Sequence, residues 1–261
     1  MLEEIELSLD AVEWFDANLC APLGAVLYRA GRGPNAVTVA DVSPRIADIL
    51  TRNGFLSHYG RLRLPDRLAT TIPYQRLEPG DDRFFGEYIS KHLQGKDIPA
   101  MTPMLRAKFL ESIFEMFSNA VIHSDTQMGI YVCGQFFPQR HRLDFSVSDL
   151  GIGICEKVRR FKGQVVAPEA AIEWAVDGIN TTKTGKVPGG LGLKLLRDFV
   201  KLNGGKIQIV SDRGFWEQKG EKVQVSSMPH PFPGTVVNLE LNTADKNSYC
   251  LASELNPRDV F

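Results

Sequence analysis

The chain has 261 residues, enough to bury a substantial core in one large or two modest domains. Apolar residues make up 43% and charged residues 23%, with a formal net charge of −1, an ordinary globular composition that argues against a dedicated nucleic-acid or anionic-membrane surface. No apolar run approaches the roughly 18 residues that span a bilayer, and the acidic, alternating start "MLEEIELSLD" is unlike a signal peptide.

In chain order, residues 3–9 alternate as a half-buried strand, and Leu19 to Tyr28 reads as a helix closed by "RAGRG". "NAVTVA" (35–40) is a short strand. Ser43-Pro44 opens a helix that Asn53-Gly54 stops, and "TTIPYQRL" (70–77) is a strand that Pro73 confines to an edge or bulge. A helix to about Leu93 follows Pro79-Gly80, and "QGKDIPAMTP" (94–103) suits a boundary. Residues 104–124 form a long amphipathic helix with Leu105, Phe109, Ile113, Met116, Phe117 and Ala120 in one stripe. "GIYVCGQFF" and "RLDFSVSD" are strands, the second alternating Leu143, Phe145 and Val147. Helices near 153–161, 168–177 and 191–202 and strands "KIQIVS" and "TVVNLEL" complete the pattern, and residues 244–261 read as a loosely packed tail.

Four cysteines, Cys20, Cys133, Cys155 and Cys250, lie far apart without metal-like spacing, which points to a reduced, cytoplasmic protein. Lys157, Arg159, Arg160 and Lys162 form the one local basic cluster, read as a solvated helix face.

Three polar features stand out. Glu115 and Asn119 are one turn apart beside the apolar stripe of the long helix, with His123 continuing the row. Asp149 ends an apolar strand and is followed by Gly151 and Gly153, a pattern that suits a flat ligand but also a helix N-cap. "TTKTGKVPGGLGLKLL" (181–196) runs from a glycine-rich loop into a helix, as phosphate-binding loops do. It is not a Walker A loop, because Gly185-Lys186 lacks the upstream glycine and Val187 replaces the hydroxyl.

Taken in this order and spacing, Glu115-x-x-x-Asn119, Asp149-x-Gly151-x-Gly153, Thr182-Lys183 and Gly189-Gly190-Leu191-Gly192-Leu193, followed by "GGKIQIVS" and "GTVVNLEL", resemble the ATP-binding domain of the GHKL superfamily over about residues 105–243. The resemblance implies an α/β fold, an α+β two-layer sandwich of Bergerat type with a mixed sheet. It implies Mg²⁺ held by Asn119, a catalytic Glu115, and adenine held by Asp149 with Thr235. Gly151 and Gly153 would border the nucleotide. Thr182, Lys183, Gly189, Gly190, Leu191, Gly192 and Leu193 would surround the phosphates, with His123 nearby.

Residues 4–77 resemble a STAS domain, the fold of anti-anti-sigma factors, through "FDAN" before a helix and "SPRIADIL" after the second strand. No hydroxyl follows Asp16 where that family carries its phosphorylated serine, which implies a docking surface rather than a phospho-switch. The expected layout is therefore a STAS-like domain (1–78), a helix and linker (79–103), the ATP-binding domain (104–243) and the tail. The expected function is a bacterial-type regulatory protein that binds ATP or ADP and Mg²⁺ and switches a protein partner, a separate STAS-like or effector protein, by binding or slow hydrolysis. A serine kinase acting on a separate partner, a non-catalytic ATP-dependent module and a homodimer remain open. Neither nucleic acid nor membrane is expected.

Overall fold

A computed structural model describes residues 4–177 and 191–255, apart from the side chains of His123 and Leu191. The N-terminal half contains β1 (Glu4–Ser8), α1 (Cys20–Ala30), β2 (Ala36–Ala40), α2 (Pro44–Arg52), β3 (Thr71–Leu77) and α3 (Asp82–His92). The short β4 (Ala100–Met101) leads into α4 (Pro103–Ser124), followed by β5 (Ile130–Phe137) and β6 (Arg142–Asp149). Next come α5 (Gly153–Lys162), α6 (Pro168–Val176), α7 (Leu191–Asn203), β7 (Lys206–Lys219), β8 (Lys222–Asn242) and β9 (Ser248–Tyr249). Among the described residues, no helix is long and apolar enough to cross a membrane.

The main sheet has the order β3-β5-β6-β8-β7 and is antiparallel throughout, which corrects the mixed sheet expected from the resemblance. Tight connections force this between β5 and β6 and between β7 and β8. β6 and β7, joined through helices α5 to α7, run the same way, but β8 lies between them.

Strand period divides the sheet into two chemically distinct faces. Ile130 and Val132 of β5, Leu143, Phe145 and Val147 of β6, Leu239 and Leu241 of β8 and Ile207 and Ile209 of β7 join one core with α3, α4 and α7. The expected stripe of α4 is buried from Leu105 to Ala120, with Phe109, Ile113, Met116, Phe117 and Ala120 in that core. Thr102 caps that helix by accepting the Leu105 N–H at 3.2 Å, and Pro103 follows at its first turn.

The opposite face carries Asp144, Ser146 and Ser148 of β6, with Asn238 of β8 and Gln208 of β7. The segment before α1 covers it. Asn18, buried, donates to Ser146 Oγ at 3.3 Å and to Asn238 Oδ1 at 3.0 Å. Ala17 N–H donates to Gln135 Oε1 at 2.8 Å, and Arg142 pairs with Asp16 at 2.8 Å. "FDAN" is thus spent on an intramolecular clamp. The core of the N-terminal helices includes Tyr74, Tyr131 and Cys133 from the sheet, so the sheet completes it.

Two further expectations need correction. The strand at 70–77 forms, but it extends the main sheet against β5 instead of closing the N-terminal unit with β1 and β2. There its Ile72 and Leu77 enter the helix-side core, and the register shifts between Ile72 and Gln75, around Pro73, as an edge strand allows. The tail up to residue 255 is packed. β9 pairs with β4, Tyr249 meets Phe199 at 5.1 Å and Thr102 Oγ1 donates to Glu254 at 2.7 Å.

Docking of α1 depends on Gly24, where a Cβ would overlap the Tyr74 hydroxyl. Gly24→Ala is expected to destabilise the chain by about 2 kcal/mol, through overpacking. Tyr74→Phe in that background, which removes the nearest atom, is expected to recover part of the loss in urea melts. Additive effects would show that the contact is not the cause.

Candidate functional site

The site is built on α4 and the elements packed against it. Glu115 and Asn119, half-buried and one turn apart, flank the stripe that packs on the sheet and α7. Phe109 meets Phe199 edge-on at 5.2 Å and holds α7 alongside. The Glu115 carboxylate accepts the Gly192 N–H at 2.7 Å in the first turn of α7, where a carboxylate is favoured by the helix dipole. A Cβ at residue 192 would displace that carboxylate from its present position. Leu193, half-buried, packs against the main core.

At the other end of the row, β6 finishes on Asp149. By the strand period its side chain follows Leu143, Phe145 and Val147 on the helix-facing side. The carboxylate is buried, accepts the Gly151 N–H at 2.8 Å and is also bonded by the Thr235 N–H. Burial pushes its pKa up to about 7, against the opposing pull of those two backbone hydrogen bonds. It is not the N-cap of α5, which begins four residues later with Ile152 in the cap position.

Thr235 lies directly across from Asp149 on β8, and Ser211 directly across from Thr235 on β7. The apolar face therefore ends in a polar row of three. Ser211 Oγ donates to Gly234 O at 2.9 Å, accepts the Ile154 N–H at 2.8 Å and lies 3.4 Å from Thr235 Oγ1. Sequence reasoning missed Ser211. The available signal was a hydroxyl at the third apolar-side position of the alternation Ile207, Ile209, Ser211.

The glycines have local reasons of their own. Ile152 N–H donates to Ser124 O at 2.7 Å, and a Cβ on Gly151 would overlap that same carbonyl. Gly153 has φ +75° and faces Ser211 Oγ. Gly234, at φ +149°, leaves no room for a Cβ against the Asp149 carbonyl. These contacts fasten the 149–153 loop to the end of α4 and to β8. Ser124 is nine residues after Glu115, so the loop and the start of α7 are separated by about 13 Å along α4.

Thr182, Lys183, Gly189 and Gly190 lie outside the described residues, as do the side chains of His123 and Leu191. His123 belongs to α4 and Leu191 opens α7. Among the described residues no group of three or more His, Cys, Asp or Glu side chains is placed to hold a metal ion. Asn119 offers a single hard oxygen.

No protein-family model matches the chain, and no curated protein matches it. Among solved structures it is similar to the histidine kinase domain from the Erythrobacter litoralis EL346 blue-light activated histidine kinase. The identity is 15%, the match covers 61% of this chain and 61% of that one, and the TM-score is 0.31. At that score the likeness carries no detail of the site.

The raised Asp149 pKa has a definite consequence. The folded carboxyl keeps its proton up to about pH 7, whereas the unfolded chain releases it near pH 4, so its contribution to stability falls as pH rises between those values. Asp149→Asn removes the cost of ionisation. Its melting temperature is expected to exceed that of the wild type by about 10 °C at pH 8, with the gap closing toward pH 4. A gap that does not change with pH in thermal melts would contradict the assignment.

Proposed function

We propose that the chain is an ATP-binding regulatory protein of GHKL type, in which nucleotide binding or slow hydrolysis switches a protein partner. The observation that carries the reading is that an anion-favouring helix start and the loop of a buried hydrogen-bond acceptor are both fastened to α4. Their attachment points are about 13 Å apart along the α4 axis, a spacing suited to a nucleoside polyphosphate lying along the helix.

The acceptor end discriminates between bases. An ionised Asp149 accepts from the exocyclic amine of adenine, which guanine lacks at that position, while Thr235 and Ser211 add hydroxyls beside it. At the phosphate end, a γ-phosphate competes with Glu115 for the Gly192 N–H. Exchange of one anion for the other links nucleotide occupancy to the contact between α4 and α7. The displaced carboxylate would orient a water or a hydroxyl.

Mg²⁺ fits the donor set as an ion held mainly by phosphate oxygens and water, with Asn119 as its one protein ligand. When bound it neutralises phosphate charge. The N-terminal unit, read as STAS-like in its strand and helix order, spends its "FDAN" segment on the sheet, so a partner must engage other surfaces.

The test is ATP titration by calorimetry together with phosphate release. Wild type is expected to bind MgATP in preference to MgGTP. Asp149→Asn is expected to lose binding by about 100-fold while remaining folded. Glu115→Ala should bind ATP and not hydrolyse it, and Asn119→Ala should lose the dependence on Mg²⁺. Wild type that binds no ATP would overturn the reading.

A further inference from the structure

Cys20 opens α1 and Cys133 lies within β5, and the two meet where the N-terminal layer packs on the sheet. Both are free thiols, and both are fully buried. Asn53, the residue that ends α2, touches each of them and has no exposed surface of its own. Its Nδ2 donates to Cys20 Sγ at 3.3 Å and to Cys133 Sγ at 3.5 Å. Its Oδ1 accepts the Phe55 N–H at 2.8 Å, which makes the nitrogen the end turned to the sulfurs. Burial pushes the Cys20 thiol well above the usual thiol range, and its hydrogen bond with the Cys133 thiol adds to the rise.

The other cysteines have no such neighbour. Cys155 is buried in a separate small cluster with Val158 and Ala171, and Cys250 is exposed. A single buried cysteine is commonly just a small core residue. Two in contact across two layers have a further chemistry open to them, because the fold has already brought the sulfurs together.

We propose that Cys20 and Cys133 form a disulfide when the chain meets hydrogen peroxide, and that this bond staples the α1 layer to the sheet. The closed layer shields both thiols, and the thiolate is the reacting form. Reaction therefore begins when the start of α1 lifts and one sulfur ionises. That thiolate attacks a peroxide oxygen and the O–O bond breaks, leaving a sulfenic acid; the departing hydroxide takes up the proton as water. When the layer closes again, the second sulfur attacks the sulfenic sulfur, the S–O bond breaks, and the hydroxyl leaves with the second proton as water. Two thiols and one peroxide thus give one disulfide and two waters. The bond closes a loop of about 110 residues, which restricts the unfolded chain strongly. In the reduced chain the start of this layer is held only by packing and by the hydrogen bonds of Ala17 and Asn18. None of these residues belongs to the nucleotide site, and the proposal is independent of that reading.

The test is peptide mapping of the full chain carrying Cys250→Ser, which removes the exposed thiol able to link two copies. The folded protein is incubated with hydrogen peroxide, quenched in acid, unfolded, alkylated with N-ethylmaleimide and digested without reduction. The expected product is the Cys20 peptide joined to the Cys133 peptide, two hydrogens lighter than the free pair, with Cys155 alkylated. In urea the same treatment is expected to favour Cys133 with Cys155, which are closer in sequence, so the Cys20–Cys133 link reports the fold. The linked protein is expected to melt about 8 °C above the reduced one. Dithiothreitol should reverse that gain, and Cys20→Ala and Cys133→Ala should each abolish it. The mapping does not depend on either alanine variant folding. Thiols that both stay alkylatable, oxidation that stops at unlinked sulfinic acids, a link from Cys133 to Cys155 in the folded chain, or a linked chain that melts no higher than the reduced one would each overturn the proposal.

Discussion

A carboxylate stands at the end of an apolar layer with backbone N–H groups to hold it, and the site is built around that constraint. Asp149 follows three core residues of β6 on the same face, so folding draws it out of water with them. Neutral protonation is the cheaper state there, and a bound donor or a high pH must offset the cost of the charged one. The tight loop after it, fastened by Gly151 to the end of α4, and the glycine at 234 both keep backbone pressed against this strand end. The same rigid frame positions Thr235 and Ser211 and fixes where α4 lies relative to them.

The sheet imposes the second constraint. Its helix-facing side is apolar except for the last row, whereas its back is polar and would be solvated in an open sandwich. Here Asn18 donates to Ser146 and Asn238 and Ala17 to Gln135, while the Ser148 hydroxyl stays buried without a partner, and α1 closes over Tyr131 and Cys133. Buried hydrogen bonds of this kind favour the docking in which they form, because displacing the segment leaves their donors and acceptors unpaired. The N-terminal unit is in consequence a fixed layer of the fold, and the sheet's back face is occupied.

Much of this was legible in the residues. The stripe of α4 and the alternation of β6 follow directly from helical and strand periods, and Glu115, Asn119 and Asp149 stood out because they interrupt those periods. Less could be read where local pattern is silent about partners. "TTIPYQRL" is apolar enough for either sheet, and only the larger core decides which one it joins. The first half of β8, with Pro229, Pro231 and Pro233 in a largely exposed strand, has little buried alternation to detect. Gly151 was identified for the right loop, but the close neighbour it accommodates in the structure is Ser124. Ser211 was hidden because a single serine after "KIQIV" reads as the end of a strand. Its significance depends on register with Thr235, which one strand alone does not reveal.

The central claim, that a nucleotide lies along α4 between Asp149 and the start of α7, is tested most directly by amide NMR of the chain titrated with a non-hydrolysable ATP analogue and Mg²⁺. The account predicts the largest shifts at Asn119, Gly151, Gly192, Ser211 and Thr235, with the back-face amides of Ser146 and Asn238 little changed. Shifts concentrated on the back face, or none at all at saturating analogue, would contradict it.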